Sequence, residues 1–152
     1  MTDAGQACRD CIINALQHYH LSVTESAVRL ISMVAAHESG DFHYVRQLRG
    51  PALSLFQIEP ATFIDLCRYA ETRRFAIAGE LPCSPWRLVF DQRFAAAMAR
   101  IFFLRFKEPL PEPDDLNGLA AYAKQYWNTH LGKATPEQYF NAYQKHFTEE
   151  SP

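Results

Sequence analysis

Apolar side chains recur along this chain at the three- and four-residue spacing that is typical of amphipathic helices. The spacing predicts a first helix over residues 4–18 and a second helix that begins after Ser22 or Thr24 and ends before Gly40. Further helices are predicted over about 60–73, from Asp91 to about Lys107, from Asp114 or Asp115 to Trp127, and from Thr135 to Phe147. No stretch alternates convincingly between apolar and polar residues. The predicted class is therefore all-α, a compact globule of about six or seven helices.

Proline and glycine separate the predicted helices. Pro60 suits the first turn of the third helix, and residues 79–85 form a connection that is rich in proline. The longest connection, residues 39–58, contains a Gly50-Pro51 break and has no clear period. The chain of 152 residues contains no repeat and no low-complexity tract, so we expect a single domain that covers residues 1–152.

The composition is that of an ordinary globular protein. Apolar residues make up 48% of the chain and aromatic residues 13%, which is enough to fill a compact interior. The formal net charge is -2, and acidic and basic residues are interspersed. A nucleic-acid-binding protein usually shows a basic face, so we expect no nucleic-acid partner. A helical DNA-binding regulator is the weakest of the alternatives.

The start of the chain has no basic stretch followed by an apolar core and a small-residue cleavage site. No apolar run approaches the length that a membrane-spanning helix needs. We therefore expect synthesis in the cytoplasm without a signal peptide, and no membrane span.

Cysteine spacing does not favour a metal site. Cys8 and Cys11 form a C-x-x-C, but Cys67 and Cys83 are too far apart in sequence to supply the second close pair that a zinc site usually needs. Small apolar fillers on helix faces are the better explanation for these cysteines. We expect no metal and no cofactor.

Glu38 is the strongest candidate for a catalytic residue. It follows Ala27, Ile31 and Val34 at steps of four, three and four residues, so it lies on the helix face that points into the core. It also lies at the helix C-terminus, where the helix dipole opposes negative charge. Both effects raise the pKa of a carboxyl, which can then donate the proton that cleavage of a glycosidic bond requires. The alternative is a glutamate at a helix end that simply points to water.

The residues that follow Glu38 indicate which kind of reaction its carboxyl would serve. The chain runs Glu38-Ser39-Gly40, then Ser54-Leu55-Phe56-Gln57, then Pro60-Ala61-Thr62. In order, spacing and residue type this pattern resembles the lysozyme-like superfamily, closest to the catalytic domain of soluble lytic transglycosylases and more distantly to goose-type lysozymes. The resemblance is strongest over residues 37–62 and extends more weakly over about 24–130.

The resemblance implies a role for five residues. Glu38 would act as general acid and then as base on the MurNAc–GlcNAc bond of peptidoglycan. Ser39 and Gln57 would line the sugar site, Phe56 would shape its wall, and Tyr122 would contact the acid or the substrate.

The resemblance also implies that the substrate's own groups complete the reaction and give a 1,6-anhydro-muramoyl product. A hydrolase would instead pair its acid with a second carboxylate. Asp41, Glu59 and Asp65 are the candidates for such a partner, and none of them carries a pairing signal in the sequence. The single-acid interpretation is therefore favoured.

Two departures from the family pattern favour a rival hypothesis. Ser54 stands where the family usually has glycine, and Ala123-Lys124-Gln125 replaces the usual Asn-Ala-Gly after the tyrosine. The rival is a non-catalytic virion or assembly protein that retains the fold.

Residues 126–135 resemble the C-terminal part of phage-encoded members. The expected partners are thus peptidoglycan glycan strands, with phage virion or secretion-machine proteins as candidate carriers, and the expected place of action is the cell wall or periplasm.

The aromatic residues near the C-terminus have two open explanations. Tyr126, Trp127 and Tyr139 could line a glycan cleft, because sugar rings stack on aromatic rings, or they could pack helix against helix. The Phe102-Phe103 pair is better explained as core.

Overall fold

The computed structural model describes residues 1–129 and 132–149. Within these ranges the chain forms seven α-helices: α1 (Asp3–His18), α2 (Glu25–Glu38), α3 (Pro60–Arg73), α4 (Arg87–Phe90), α5 (Gln92–Leu104), α6 (Leu116–Ala123) and α7 (Pro136–Phe147). A short 3-10 helix (Ala76–Glu80) follows α3, and a π-helical turn (Lys124–Asn128) prolongs α6. No strand occurs in the described ranges, and the predicted all-α class is confirmed. None of the helices seen there combines the length and the apolar content that crossing a bilayer demands.

Helix starts follow the capping residues in the sequence. The hydroxyl of Thr24 accepts the N–H of Ala27 at 3.2 Å at the start of α2. The carboxylate of Asp91 accepts the N–H of Phe94 at 2.9 Å at the start of α5. Thr135 opens α7 with a capping box. These side chains satisfy backbone donors that a helix leaves free at its first turn, which explains why the sequence located these starts well.

Two helices differ from the prediction. The single-turn helix α4 was not predicted, because four residues are too few to show a hydrophobic period. Helix α5 ends at Leu104 rather than near Lys107. The apolar Phe106 continues the spacing of α5, but it packs against Tyr126 beyond the helix end, with ring centroids 4.5 Å apart.

Helix α5 lies at the centre of the molecule. Its small side chains Ala95, Ala96, Ala97 and Ala99 are fully buried, which allows the neighbouring helices to approach closely. Helices α1, α2, α3 and α4 all pack against it. Helix α2 also packs against α1, α6 and α7, so its C-terminal end lies beside the C-terminal third of the chain.

The connection between α2 and α3 is ordered rather than irregular. Isolated antiparallel bridges pair Arg46 with Leu53 and Leu53 with Ile58. Leu53 and Ile58 exchange both backbone hydrogen bonds, at 2.9 and 2.7 Å. Leu53, Phe56 and Ile58 are buried in the core. The apolar residues of this connection therefore hold it against the helices and fix the residues between them.

Replacement of Phe56 tests this anchoring. Phe56 is 1% exposed, and Phe56→Ala should lower the free energy of unfolding by about 3–5 kcal/mol because it leaves a cavity in the core. Leu48→Ala, in the same connection at a side chain that is 68% exposed, should change it by no more than about 0.5 kcal/mol. Urea denaturation followed by circular dichroism measures both. Equal, small effects of the two substitutions would contradict the anchoring.

Candidate active site

Glu38 is the last residue of α2, and its side chain is half-buried. The hydroxyl of Tyr139, a fully buried residue of α7, donates a hydrogen bond to Oε1 of Glu38 at 2.6 Å. The ring of His37 packs against the ring of Tyr139, with centroids 4.4 Å apart. Two successive residues of α2 therefore contact the same phenol, which fixes the carboxyl between α2 and α7.

Burial and the hydrogen bond act on the pKa of Glu38 in opposite directions. Burial, the larger effect, raises the pKa of Glu38 above its ordinary value of 4.5, and the bond from Tyr139 lowers it. Burial and the nearby Glu38 charge raise the pKa of Tyr139, so the phenol remains a donor. The bond occupies only Oε1, and a carboxylic acid can carry its proton on the other oxygen. Compared with water, the site therefore shifts the carboxyl towards its protonated form and fixes its orientation.

A groove extends to both sides of Glu38. One half has a volume of about 210 Å³ and is lined by Ile58, Thr62, Phe102, Trp127 and Asn128. The other half has a volume of about 420 Å³ and is lined by Tyr44, Gln47, Leu48 and Ala52. Glu38, Gln57 and Glu59 line both halves. The carboxyl thus lies where the two halves meet, so a chain-like substrate that occupied both halves would pass it.

Gln57 and Glu38 are brought together in this groove. The backbone N–H of Gln57 and its side-chain Nε2 both donate to the carbonyl oxygen of Ser54, at 3.1 and 2.8 Å. Because Nε2 is used in this way, the orientation of the Gln57 amide is fixed and its Oε1 is left for other partners.

Ser54 adopts the backbone conformation for which glycine is usually needed. Its φ is +77°, in the left-handed region, and its side chain is fully buried. The Ser54 Oγ accepts the N–H of Phe56 at 3.1 Å. The serine therefore retains the tight turn that carries Gln57, and its side chain does not enter the groove.

Ser39 and Phe56, which were expected to line and shape the sugar site, do not line the groove in the structure. Ser39 is 0% exposed, and its Oγ accepts the N–H of Phe42 at 2.7 Å. It satisfies backbone donors in the turn after α2, as serine often does at helix ends. Phe56 points into the core instead of towards a substrate. Both residues support the site from behind: one shapes the turn after Glu38, and the other anchors the segment before Gln57.

The tyrosine that contacts the acid is Tyr139 rather than Tyr122. The hydroxyl of Tyr122 donates to the carbonyl oxygen of Glu108 at 3.0 Å, and its ring packs against Tyr126 with centroids 4.4 Å apart. Tyr139 belongs to the buried stripe of α7 together with Tyr143 and Phe147. The sequence signals that α7 buries this face, but it contains no sign that the face turns towards the end of α2.

Aromatic and amide groups from the end of α6 complete one wall. The ring of Trp127 packs on Phe102 with centroids 4.5 Å apart, and both rings are partly exposed in the groove. Asn128 lines the same half of the groove at the end of the π-helical turn. Its Oδ1 accepts a hydrogen bond from Nζ of Lys124 at 2.8 Å, and its amide is close enough to Tyr139 to lower the pKa of that phenol by hydrogen bonding. Asn128 thus places an amide in the groove although Asn-Ala-Gly is absent after Tyr122.

The three candidate second acids lie in different places. Asp41 pairs with Lys145 and with His146 on α7, and the Lys145 hydrogen bond is the main cause that lowers its pKa. Asp65 is exposed on α3 and does not line the groove. Glu59 lines both halves of the groove, and its side chain makes no capping bond to α3. Of the three, only Glu59 shares the groove with Glu38.

Comparison of the chain with protein-family models, with curated proteins and with solved structures found no match.

The buried carboxyl predicts a pH-dependent stability difference. Because the pKa of Glu38 is raised in the folded state, this residue costs stability once the pH exceeds its ordinary value of 4.5, where the unfolded carboxyl is ionised. Glu38→Gln should therefore increase the free energy of unfolding more at pH 7 than at pH 4. Urea denaturation at the two pH values measures this, with Glu59→Gln, an exposed carboxyl of the same groove, as the control. An equal effect of Glu38→Gln at both pH values would contradict the raised pKa.

Proposed function

We propose that this chain cleaves the glycan strands of peptidoglycan as a lytic transglycosylase. The observation behind the proposal is the half-buried carboxyl of Glu38, whose pKa is raised by burial and which Tyr139 holds where the two halves of the groove meet. The place of action would be the cell wall, and a phage particle or a secretion machine is the candidate carrier. The resemblance of residues 37–62 to lytic transglycosylases supports the choice of substrate.

Glu38 would act twice in this reaction. It first donates its proton to the glycosidic oxygen, so that the bond between C1 of the muramoyl unit and this oxygen breaks. The resulting carboxylate then removes the proton from the C6 hydroxyl of the same sugar while O6 bonds to C1. The products are a 1,6-anhydro-muramoyl end and a new free hydroxyl on the other sugar, and Glu38 is protonated again.

Tyr139 would stabilise the intermediate stage. Between the two proton transfers Glu38 carries a full negative charge in a partly buried position, which is costly without a hydrogen-bond donor. The hydroxyl of Tyr139 already donates to Oε1 at 2.6 Å and needs no rearrangement when the charge develops. The amides of Gln57 and Asn128 are placed to bind sugar hydroxyls and acetamido groups, and Trp127 offers a partly exposed ring for a sugar face.

Glu38→Gln tests the proposal directly. It should lower the rate of wall clearance by at least about 1000-fold, because the amide can neither donate nor accept the proton, while Tyr139 keeps an oxygen to bond to. Turbidity of purified cell walls gives the rate. Mass spectrometry of the digest gives the chemistry, and anhydro-muramoyl ends are expected.

Other results of this experiment point elsewhere. Reducing ends would favour a hydrolase in which Glu59 serves as the second carboxylate. Equal activity of both proteins, or no activity in either, would favour the rival hypothesis of a non-catalytic virion or assembly protein.

Tyr139→Phe should change the pH profile in a defined direction. The hydroxyl of Tyr139 lowers the pKa of Glu38, so its removal raises that pKa and moves the alkaline limb of kcat/KM to higher pH. Activity at the optimum should fall roughly 10- to 100-fold, because the carboxylate loses a charge-assisted hydrogen bond. Tyr143→Phe makes the same chemical change one turn along α7, away from Glu38, and should leave the profile in place. An alkaline limb that moves to lower pH in Tyr139→Phe would contradict this role.

A further inference from the structure

Two arginines, Arg46 and Arg49, lie in the tip of the connection between α2 and α3, which we define as residues 46–50. The side chains of Arg46 and Arg49 are exposed, and neither forms an ion pair with a carboxylate in the described ranges. By contrast, Arg9, Arg29 and Arg87 are each paired with an acidic side chain. The positive charge at this tip is therefore available to a ligand.

The tip is continuous with the groove that contains Glu38. Gln47 and Leu48 lie between Arg46 and Arg49 in the chain, and both line the larger half of that groove. The same two residues line a surface depression of about 490 Å³ together with Arg46 and Arg49. A ligand that fills the larger half of the groove can therefore extend onto the two arginines without leaving the surface.

The tip is held in place by its own contacts. The N–H of Gln47 donates to the carbonyl oxygen of Ala52 at 2.8 Å, and its Oε1 accepts the N–H of Ala52 at 3.2 Å. Gly50 leaves room for this side chain, because a Cβ at position 50 would lie 2.2 Å from Cδ of Gln47. The guanidinium of Arg46 lies over the half-exposed ring of Trp86, 5.3 Å from the ring centroid. Its position is thereby restricted, as a preformed binding site requires.

We propose that Arg46 and Arg49 form a subsite for the acidic peptide stems of peptidoglycan. This inference rests on the proposed function. A stem is attached to the muramoyl unit, next to the bond that Glu38 would cleave, and it carries free carboxylates. Glu59 gives the centre of the groove an exposed carboxyl, which an anionic stem would avoid. The two arginines supply the complementary charge at the end of the groove.

The dimensions and the electrostatics of the site fit this occupant. An extended stem of four residues spans at most roughly 14 Å, and the two residues of chain from Gln47, in the groove wall, to Arg49 span at most roughly 7 Å. The pKa of Glu38 is set by burial and by Tyr139, without a contribution from either arginine. Positive charge at the tip can thus attract the stem without deprotonating the acid.

Binding to peptidoglycan tests the subsite without depending on turnover. The probes are purified peptidoglycan and the same material with its stem carboxyls converted to amides. In a Glu38→Gln background, which prevents digestion, Arg46→Gln/Arg49→Gln should weaken co-sedimentation with unmodified peptidoglycan roughly three- to tenfold in apparent Kd. Amidation of the stems should weaken binding of the parent, the Glu38→Gln protein with both arginines, by a similar factor. It should also abolish the difference in apparent Kd between this parent and the double-arginine variant.

A matched variant controls for total charge. Arg68→Gln/Arg73→Gln removes two exposed arginines of α3 that do not line the groove, and it should bind as the parent does. If both double variants bind equally, or if amidation of the stems has no effect, the subsite is wrong. Failure of the proposed function has a different signature: the protein with Glu38 intact would bind peptidoglycan in the charge-dependent way described but release no fragments.

Discussion

The hydrogen bond between Tyr139 and Glu38 is the contact on which the candidate site depends. It joins the ends of α2 and α7, which are 101 residues apart in the chain, and it orients a carboxyl that would otherwise be free at a helix terminus. Burial alone would raise the pKa of Glu38 without limiting where its proton points. The hydroxyl of Tyr139 limits the position of the proton, because it occupies one carboxyl oxygen. It also partly offsets the rise in the pKa. A carboxyl that must give up a proton and then take one back benefits from such a balance.

The rest of the fold positions the groups that face this carboxyl. The alanines of α5 allow α2 to pack deeply in the core, and Leu53, Phe56 and Ile58 fasten the long connection to the same core. On that foundation the tight turn between Ser54 and Gln57 presents an amide beside Glu38. Ser39 and Phe56 therefore serve the site indirectly, by fixing backbone rather than by touching a substrate. Such supporting residues determine how accurately a site is held.

The sequence was informative where local physics decides the structure. Capping by Thr24, Asp91 and Thr135 and the spacing of apolar residues located the main helices, and the steps from Ala27 to Glu38 placed the acid on a buried face. Contacts between distant segments could not be obtained in this way. The choice of Tyr139 over Tyr122 depends on how α7 packs against α2, and Asn128 reaches the groove only because a π-helical turn prolongs α6. A motif also does not distinguish a residue that lines a pocket from one that supports it, so the sequence alone could not separate Ser39 and Phe56 from the residues of the groove wall.

The most direct test of the proposed chemistry is a measurement of the protonation state of Glu38 across pH. Carbon-13 NMR of side-chain carboxyls in glutamate-labelled protein, with Glu38 assigned by its loss in Glu38→Gln, follows this group through a pH titration. Because burial raises the pKa of Glu38, we expect a midpoint above the ordinary value of 4.5, and a still higher midpoint in Tyr139→Phe. A midpoint at or below 4.5 for Glu38 would contradict the buried proton donor on which the proposed chemistry depends.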